Sequence, residues 1–300
     1  MSRSRRIFKL VRFAVVLFVL MVSAVLLWMC HMQAQVLAHP AHSRPENTPD
    51  AVGITNWQTV SFSAEDGTLL SAWYIPPDAN GAALIYVHGI GGNRGALREL
   101  QLFARQGYGV LALDLRNCGD SAGSATSMGY FEALDVQAAY AFLAGQQGVQ
   151  RIAVYGVSMG GATAVRAMSQ LPDAAALIIE SSYASVLDVV GDGVRARTGL
   201  PAFPFAQIIL WLTGRESGAD LFDVNSERDI AQIHVPVLIM HGTADDTVPV
   251  SHGQRLYAAA NEPKQLWLVE GAGHGGLLYA DPQGYAAQVL PFLAAALLDA

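Results

Sequence analysis

The sequence has little of several features that would identify common protein classes. Its 300 residues include only two cysteines, Cys30 and Cys118, which are too few for a disulfide framework. We interpret both as free thiols. Charged residues make up 14% of the chain and hydrophobic residues 52%, a balance that excludes an intrinsically disordered protein and indicates a large core. The length suits one α/β domain with an appendage.

Acidic residues are absent before Glu46, whereas six basic residues lie in that part of the chain: Arg3, Arg5, Arg6, Lys9, Arg12 and Arg44. Residues 45–300 contain 12 basic and 25 acidic residues, a formal charge of −13. No basic patch interrupts this acidic region. We therefore expect no nucleic acid as a partner.

An apolar run without charged residues extends over residues 13–30 (FAVVLFVLMVSAVLLWMC). As a helix it would be about 27 Å long, close to the hydrocarbon thickness of a bilayer. Because five basic residues precede the run, the positive-inside rule predicts a cytoplasmic N-terminus and an exported body, periplasmic if the cell is bacterial. We predict a basic tip and a transmembrane anchor over residues 1–30 of a single-pass membrane protein.

A cleaved signal peptide is the alternative to an anchor, with residues 36–38 (VLA) as its cleavage site. Signal peptides usually have apolar cores of about 7–15 residues, shorter than this run, so we favour an uncleaved anchor. Residues 31–55 contain Pro40, Pro45 and Pro49 and are interpreted as a flexible tether. His31, His39 and His42 lie in or near this segment, but we predict no metal site.

From residue 56 to residue 300 the pattern predicts one α/β domain. Residues 57–65 and 68–75 are typical of a β-hairpin that turns at Asp66-Gly67. Six apolar runs are typical of strands buried on both faces of a parallel sheet: 82–87, 109–113, 151–155, 174–179, 235–240 and 265–269. Helical stretches separate them at 94–106, 129–145, 160–170, 251–261 and 282–298. The chain is thus predicted to form a mostly parallel central sheet with helices on both faces.

Residues 183–231 lie between two predicted strands and are too many for an ordinary crossover. We interpret them as an inserted, partly helical cap. The apolar residues of its middle, among them Phe203 and Trp211, are compatible with an acyl chain or a membrane-facing entrance, and equally with ordinary packing.

The segment Gly156-Val157-Ser158-Met159-Gly160 follows a predicted strand and begins a predicted helix. This is the context of a G-x-S-x-G nucleophile elbow, in which glycines leave room for a serine in a tight turn. Such a serine needs a base, which an acid in turn orients. His274 is the histidine that follows the last predicted strand in a glycine-rich loop. Asp245 and Asp246 both follow the preceding strand, and Glu180 at the end of the strand before that is an outside candidate for the acid.

The oxyanion that forms in such a reaction needs two amide donors. We expect them from Met159 and from Ile90, which lies in the loop His88-Gly-Ile-Gly-Gly-Asn93 after the predicted strand 82–87.

Five motifs in this order, HGIGGN, DLRNCGDS, GVSMG, HGTADDTVP and GAGH, resemble the serine-hydrolase branch of the α/β-hydrolase superfamily, its esterases, monoglyceride lipases and serine aminopeptidases. The resemblance covers roughly residues 57–298. It implies the α/β-hydrolase fold, no cofactor, an acyl ester of a small molecule or lipid as substrate, and Ser158, Asp245 and His274 as nucleophile, acid and base. Asn117 stands where the family often has a glycine of positive φ, a conformation that asparagine tolerates.

Four alternatives remain besides an ester hydrolase. A serine peptidase or an acyltransferase would use the same residues. A nicotinamide-binding protein would use Gly89 and Gly91 with Asp114 about 20 residues further on, but Arg94 stands where its third glycine belongs. A non-catalytic, membrane-tethered binding module would tolerate loss of Ser158. The sequence leaves the oligomeric state open.

Overall fold

Eight strands form one sheet in the computed structural model, which describes residues 3–41, 43–171 and 173–298. The strands are β1 (Gln58–Ser63), β2 (Leu69–Ile75), β3 (Ala82–Val87), β4 (Gly109–Asp114), β5 (Arg151–Val157), β6 (Ala176–Glu180), β7 (Val237–Gly242) and β8 (Lys264–Val269). Their order in the sheet is β1-β2-β4-β3-β5-β6-β7-β8. The hairpin β1–β2 and the pair β2–β4 are antiparallel, and the other pairs are parallel. The predicted, mostly parallel sheet is confirmed.

Ten α-helices of the described residues surround this sheet or precede it. They are α1 (Arg3–Ala38), α2 (Leu97–Arg105), α3 (Glu132–Ala144), α4 (Met159–Met168), α5 (Val186–Thr198), α6 (Ala202–Ser217), α7 (Ser226–Ile230), α8 (Ser251–Ala259), α9 (Leu277–Ala280) and α10 (Pro282–Leu297), as far as the described residues show. Short 3₁₀ turns lie at Pro49–Val52 and Leu221–Asp223.

The core consists of two apolar layers, one on each face of the sheet. Along β3, Ala83, Ile85 and Val87 belong to the layer that α3 and α4 cover. The intervening residues of β3 belong to the other layer, which α2 and α10 cover. Because both faces are buried, the strand is a continuous apolar run in the sequence.

Helix α1 is longer than the apolar run that predicts it. It ends at Ala38, eight residues beyond Cys30, so the first third of the predicted tether is helical. Residues 6–29 are almost all exposed, whereas Cys30, Ala34 and Ala38 are buried against the rest of the protein. These three lie four residues apart, on one side of the helix. Small side chains there let α1 approach α6 closely, and the two helices pack together.

The long interval 183–231 contains α5, α6, the second 3₁₀ turn and α7. Ser185 caps α5, since its hydroxyl accepts a hydrogen bond from the Asp188 amide at 3.1 Å. Helix α6 packs against both α5 and α1. The N-terminal helix and this interval therefore form one side of the molecule together.

The motif after β4 has a structural role. The Asp114 carboxylate accepts hydrogen bonds from the amides of Arg94 at 2.7 Å and Asp120 at 2.9 Å. Arg116 forms an ion pair with the buried Asp135 at 2.7 Å. Asn117 has a φ of 58°, the left-handed conformation expected at this position. Since Asp114 is engaged inside the protein, it is not placed to bind a ribose, which argues against a nicotinamide site.

Candidate active site

Ser158 lies at the sharp turn between β5 and α4. Its backbone angles, φ of 55° and ψ of −120°, are unfavourable for any residue other than glycine. The turn is held from both sides. The Ser158 amide donates to the Glu180 carbonyl at 2.8 Å, and the Ser182 hydroxyl donates to the Ser158 carbonyl at 2.8 Å. Strain that is held in this way is typical of functional sites.

Two glycines of the elbow are required by close contacts between backbone segments. A Cβ atom on Gly156 would lie 2.3 Å from the Gly160 carbonyl oxygen. A Cβ atom on Gly160 would lie 2.3 Å from the Val87 carbonyl oxygen at the end of β3. No side chain fits at either position without a shift of the backbone, so the glycine spacing of the motif follows from packing.

We expect Gly160→Ala to lower the free energy of unfolding by about 2 kcal/mol or more, because the added methyl group must push two backbone segments apart. Gly193→Ala on α5 is the matched control, since its methyl group would have only the Arg197 side chain nearby, at 3.5 Å. That control should gain up to about 1 kcal/mol of helix propensity. Thermal unfolding of the full chain in detergent measures both, and equal midpoints for the two variants would contradict the steric argument.

His274 connects Ser158 to Asp245. Its Nε2 atom lies 2.9 Å from the Ser158 Oγ atom, and its Nδ1 atom lies 2.8 Å from the Asp245 Oδ2 atom. Ser158 follows β5, Asp245 follows β7 and His274 follows β8, all at the carboxyl ends of parallel strands. The sheet thus brings together residues that are 116 positions apart in the sequence.

The Asp245 carboxylate is held firmly and stays ionised. Its Oδ1 atom accepts from the amides of Thr247 at 3.0 Å and Val248 at 2.8 Å, and the buried His241 ring lies 3.3 Å from its Oδ2 atom. Burial alone would raise the pKa of Asp245, but hydrogen bonds from His241, His274 and Val248 outweigh it and hold the pKa well below its ordinary value. An ionised carboxylate on Nδ1 keeps the proton there and leaves Nε2 to accept one from Ser158.

The other two candidate acids do not contact His274. Asp246 is exposed, and its carboxylate accepts from the Thr247 hydroxyl at 3.3 Å. Glu180 is buried and accepts from the Leu277 amide at 3.0 Å and from the Tyr155 hydroxyl. Burial raises the pKa of Glu180, and these hydrogen bonds offset only part of that effect. Glu180 therefore supports the loop that carries His274.

Ile90 and Met159 line the same cavity as Ser158, which has a volume of about 530 Å³. Met159 is the first residue of α4, so its amide has no carbonyl four residues earlier in the helix to bond. Ile90 follows Gly89, where a Cβ atom would lie 3.2 Å from the Ser158 Cβ atom. Both expected donor residues thus flank the Ser158 side chain.

Comparison with known proteins identifies the family of the chain. A model of the "Alpha/beta hydrolase family" matches residues 84–288, which is well over half of the chain. The chain belongs to the alpha/beta hydrolase family. Its fold, with the eight-stranded sheet and the surrounding helices, is the one that the motifs imply.

Relatives of this alpha/beta hydrolase include an uncharacterized protein of Mycobacterium tuberculosis, which is 33% identical over 261 residues and 85% of each chain. The lysophosphatidylserine lipase ABHD12 of Danio rerio is 27% identical over 244 residues, 76% of this chain and 60% of the lipase. Among solved structures, an esterase of Pyrococcus furiosus superposes with a TM-score of 0.73 at 25% identity, over 87% of this chain and 98% of the esterase.

Other histidines of this alpha/beta hydrolase have partners inside the protein. The buried His252 accepts from the Ala184 amide at 3.1 Å through Nδ1, and its Nε2 atom lies 2.9 Å from the Asp192 carboxylate. The His88 ring contacts the Gly89 carbonyl at 2.7 Å, and the His241 ring contacts the Val248 carbonyl at 2.8 Å. His42 lies outside the described residues, so the structure does not test it. Over the described ranges, no group of three or more His, Cys, Asp or Glu side chains could hold a metal ion.

Sequence reasoning missed part of the cavity wall. Met29, Gln33 and Leu37 of α1 line the cavity together with Ser158, although they lie in or beyond the predicted anchor. The four-residue spacing of Cys30, Ala34 and Ala38 is the signal that could have indicated a packed helix face there. The hydrogen bond between the buried Tyr155 hydroxyl and the Glu180 carboxylate could not be predicted in the same way. Both residues lie in strands that were identified by their apolar residues, and that pattern does not indicate which polar side chains meet.

Proposed function

We propose that the protein is a serine hydrolase that cleaves carboxylic esters through an acyl-enzyme on Ser158. The hydrogen-bonded chain from Ser158 through His274 to Asp245 carries this proposal. It pairs a hydroxyl with a base at 2.9 Å and that base with an ionised acid at 2.8 Å, which is the arrangement that activates a serine.

In the first half of the reaction, His274 Nε2 takes the Ser158 proton while Oγ attacks the ester carbonyl carbon. The carbonyl oxygen becomes an oxyanion, and the amides of Ile90 and Met159 are its donors. When the carbon–oxygen bond to the alcohol breaks, the His274 imidazolium gives its proton to the departing alkoxide. The acyl group is then bound to Ser158 Oγ.

In the second half, water attacks the acyl-enzyme and His274 accepts a proton from it. The second tetrahedral intermediate breaks its bond to Oγ, Ser158 regains a proton from His274, and a carboxylic acid leaves. Asp245 stays ionised throughout and stabilises each imidazolium as it forms. The proton that Ser158 loses leaves with the alcohol, and a proton from water replaces it. The cycle therefore consumes one ester and one water and restores the enzyme.

An ester is favoured over a peptide by the surroundings of Ser158. The cavity is lined mainly by apolar side chains, which suit an acyl group better than a peptide backbone that needs hydrogen-bond partners. The relatives named esterase and lysophosphatidylserine lipase point the same way.

We also propose that α1 is an uncleaved anchor with the N-terminus in the cytoplasm and the hydrolase body on the other side. Helix α1 is long and apolar enough to cross a membrane. Exposure of nearly all of residues 6–29 in the described part of the chain supports a lipid environment, because exposed apolar side chains are unfavourable in water. Cleavage after residues 36–38 would remove a helix whose Cys30, Ala34 and Ala38 are buried in the body. Residues 183–231, with α5 and α6, would form the cap.

The proposed function is tested with the full chain in detergent, a fluorophosphonate probe and a substrate panel. We expect the probe to label the wild type, and an acyl ester of para-nitrophenol to be cleaved while an aminoacyl para-nitroanilide is not. Ser158→Ala should not be labelled. Labelling of Ser158→Ala to the wild-type level, or cleavage of the amide in preference to the ester, would overturn the proposal.

A further inference from the structure

The cavity at Ser158 continues along α1, the helix that we propose as the membrane anchor. The α1 residues that line it recur on one face over three turns: Leu26, Met29, Cys30, Gln33, Val36 and Leu37. From Leu37 back to Leu26 this face measures about 16 Å. The Leu37 end of this face adjoins the loop 88–93, which carries Ile90. A Cβ atom on Gly91 in that loop would lie 3.4 Å from Pro40, two residues after α1.

Helix α5 forms a second wall, which is about 14 Å long from Val189 to Thr198. Its lining residues again recur at helical spacing: Val189, Val190, Gly193, Val194, Arg197 and Thr198. The first of these lies near the N-terminus of α5. Ser185 caps that end of the helix, and Ser182, three residues earlier, donates to the Ser158 carbonyl at 2.8 Å. Of the described residues that line the cavity, Arg197 alone is charged, and it lies in the last turn of α5.

Between the nucleophile and Leu26 the cavity is lined mainly by apolar side chains. Leu26 belongs to the apolar run 13–30, the part of α1 that would lie in the hydrocarbon of a bilayer. Phe203 and Trp211 of the adjacent α6 are exposed, at 72% and 54%, as aromatic side chains at a membrane interface would be. The cavity therefore leads from Ser158 toward the membrane side of the molecule.

We propose that α1 is one wall of an acyl channel, and that the substrate is a long-chain acyl ester whose tail lies along α1 and α5 with its ester at Ser158. The inference rests on the proposed function and names its substrate class. A tail in this channel stays in apolar surroundings from the bilayer to the nucleophile, so little of its hydrophobic surface meets water on the way. The N-terminal helix then contributes to substrate selection in addition to anchoring the protein in the membrane.

Two pairs of matched variants test the channel. Met29→Trp and Gly193→Leu place bulk on its two walls, whereas Met32→Trp and Ala196→Leu make the same or a comparable change at exposed positions of the same helices outside the lining. The full chain is reconstituted in phospholipid vesicles, and kcat/KM is measured for para-nitrophenyl hexadecanoate and butanoate.

The wild type should prefer hexadecanoate, and each wall variant should lower the ratio of hexadecanoate to butanoate kcat/KM about tenfold or more. The two control variants should keep the wild-type ratio. An unchanged ratio in both wall variants, a control that lowers it as much as its wall partner, or a wild-type preference for butanoate would overturn the channel. The proposed function fails separately, if neither ester is cleaved and the fluorophosphonate probe does not label Ser158.

Discussion

Replacing Ser158 by alanine is expected to lower kcat for ester hydrolysis about a million-fold, the effect seen when a serine hydrolase loses its nucleophile. The hydroxyl is the atom that bonds to the acyl group, and no other hydroxyl bonds to His274 Nε2 in the described part of the chain. His274→Ala should cost a similar factor, because a serine without its base is a weak nucleophile.

The double variant Ser158→Ala/His274→Ala should be no slower than the slower single variant, since the two residues act as one unit. Initial rates with a para-nitrophenyl ester measure all three. Ser169→Ala is the control: it makes the same change at the end of α4, where the hydroxyl donates to the Arg166 carbonyl at 2.8 Å, outside the site. If the double variant lost as much kcat as the two single losses multiplied together, or if Ser158→Ala kept the wild-type rate, Ser158 and His274 would not act as one catalytic unit.

Asp245→Asn is expected to lower kcat about ten-thousand-fold, while Asp246→Asn leaves it unchanged. The two positions are neighbours and the change is identical, but only Asp245 contacts His274, at 2.8 Å. An asparagine there removes the negative charge that stabilises the imidazolium and allows its Nδ2 group to donate to Nδ1, which places the histidine proton on the wrong nitrogen.

Steady-state rates of the two asparagine variants decide this prediction, with fluorophosphonate labelling as a second readout. A large loss in Asp246→Asn with little loss in Asp245→Asn would move the acid to the neighbouring residue. Because the pKa of Asp245 lies well below its ordinary value, mild acidification should not neutralise this carboxylate in the wild type.

The sequence was sufficient to predict the strands and the elbow because their signals are local. Strand β3 is a continuous apolar run since both of its faces are buried, and Gly156 and Gly160 are dictated by contacts of 2.3 Å that no other residue permits. Each of Ser158, Asp245 and His274 follows a predicted strand, which places them at one edge of a parallel sheet. The family resemblance supplied their order and roles.

Two features could not be predicted from the residues alone. Asp245 and Asp246 have the same chemistry, and only the turn that brings the amides of Thr247 and Val248 to Asp245 separates them. The end of α1 depends on tertiary packing: hydropathy falls after Cys30, but Ala34 and Ala38 are buried against the body and the helix continues. Hydropathy indicates which segment suits a lipid environment. It does not indicate where small residues such as Ala34 and Ala38 pack against the rest of the protein.

The close fit of Cys30, Ala34 and Ala38 also determines how the body can move. A domain joined to its anchor by a flexible linker would rotate freely and vary its distance from the bilayer. Here the proposed anchor α1 is docked onto the body itself, so a bilayer around residues 13–30 would hold the body at one tilt and one depth. Each molecule would meet the lipid surface in the same pose, without a search over orientations before every turnover.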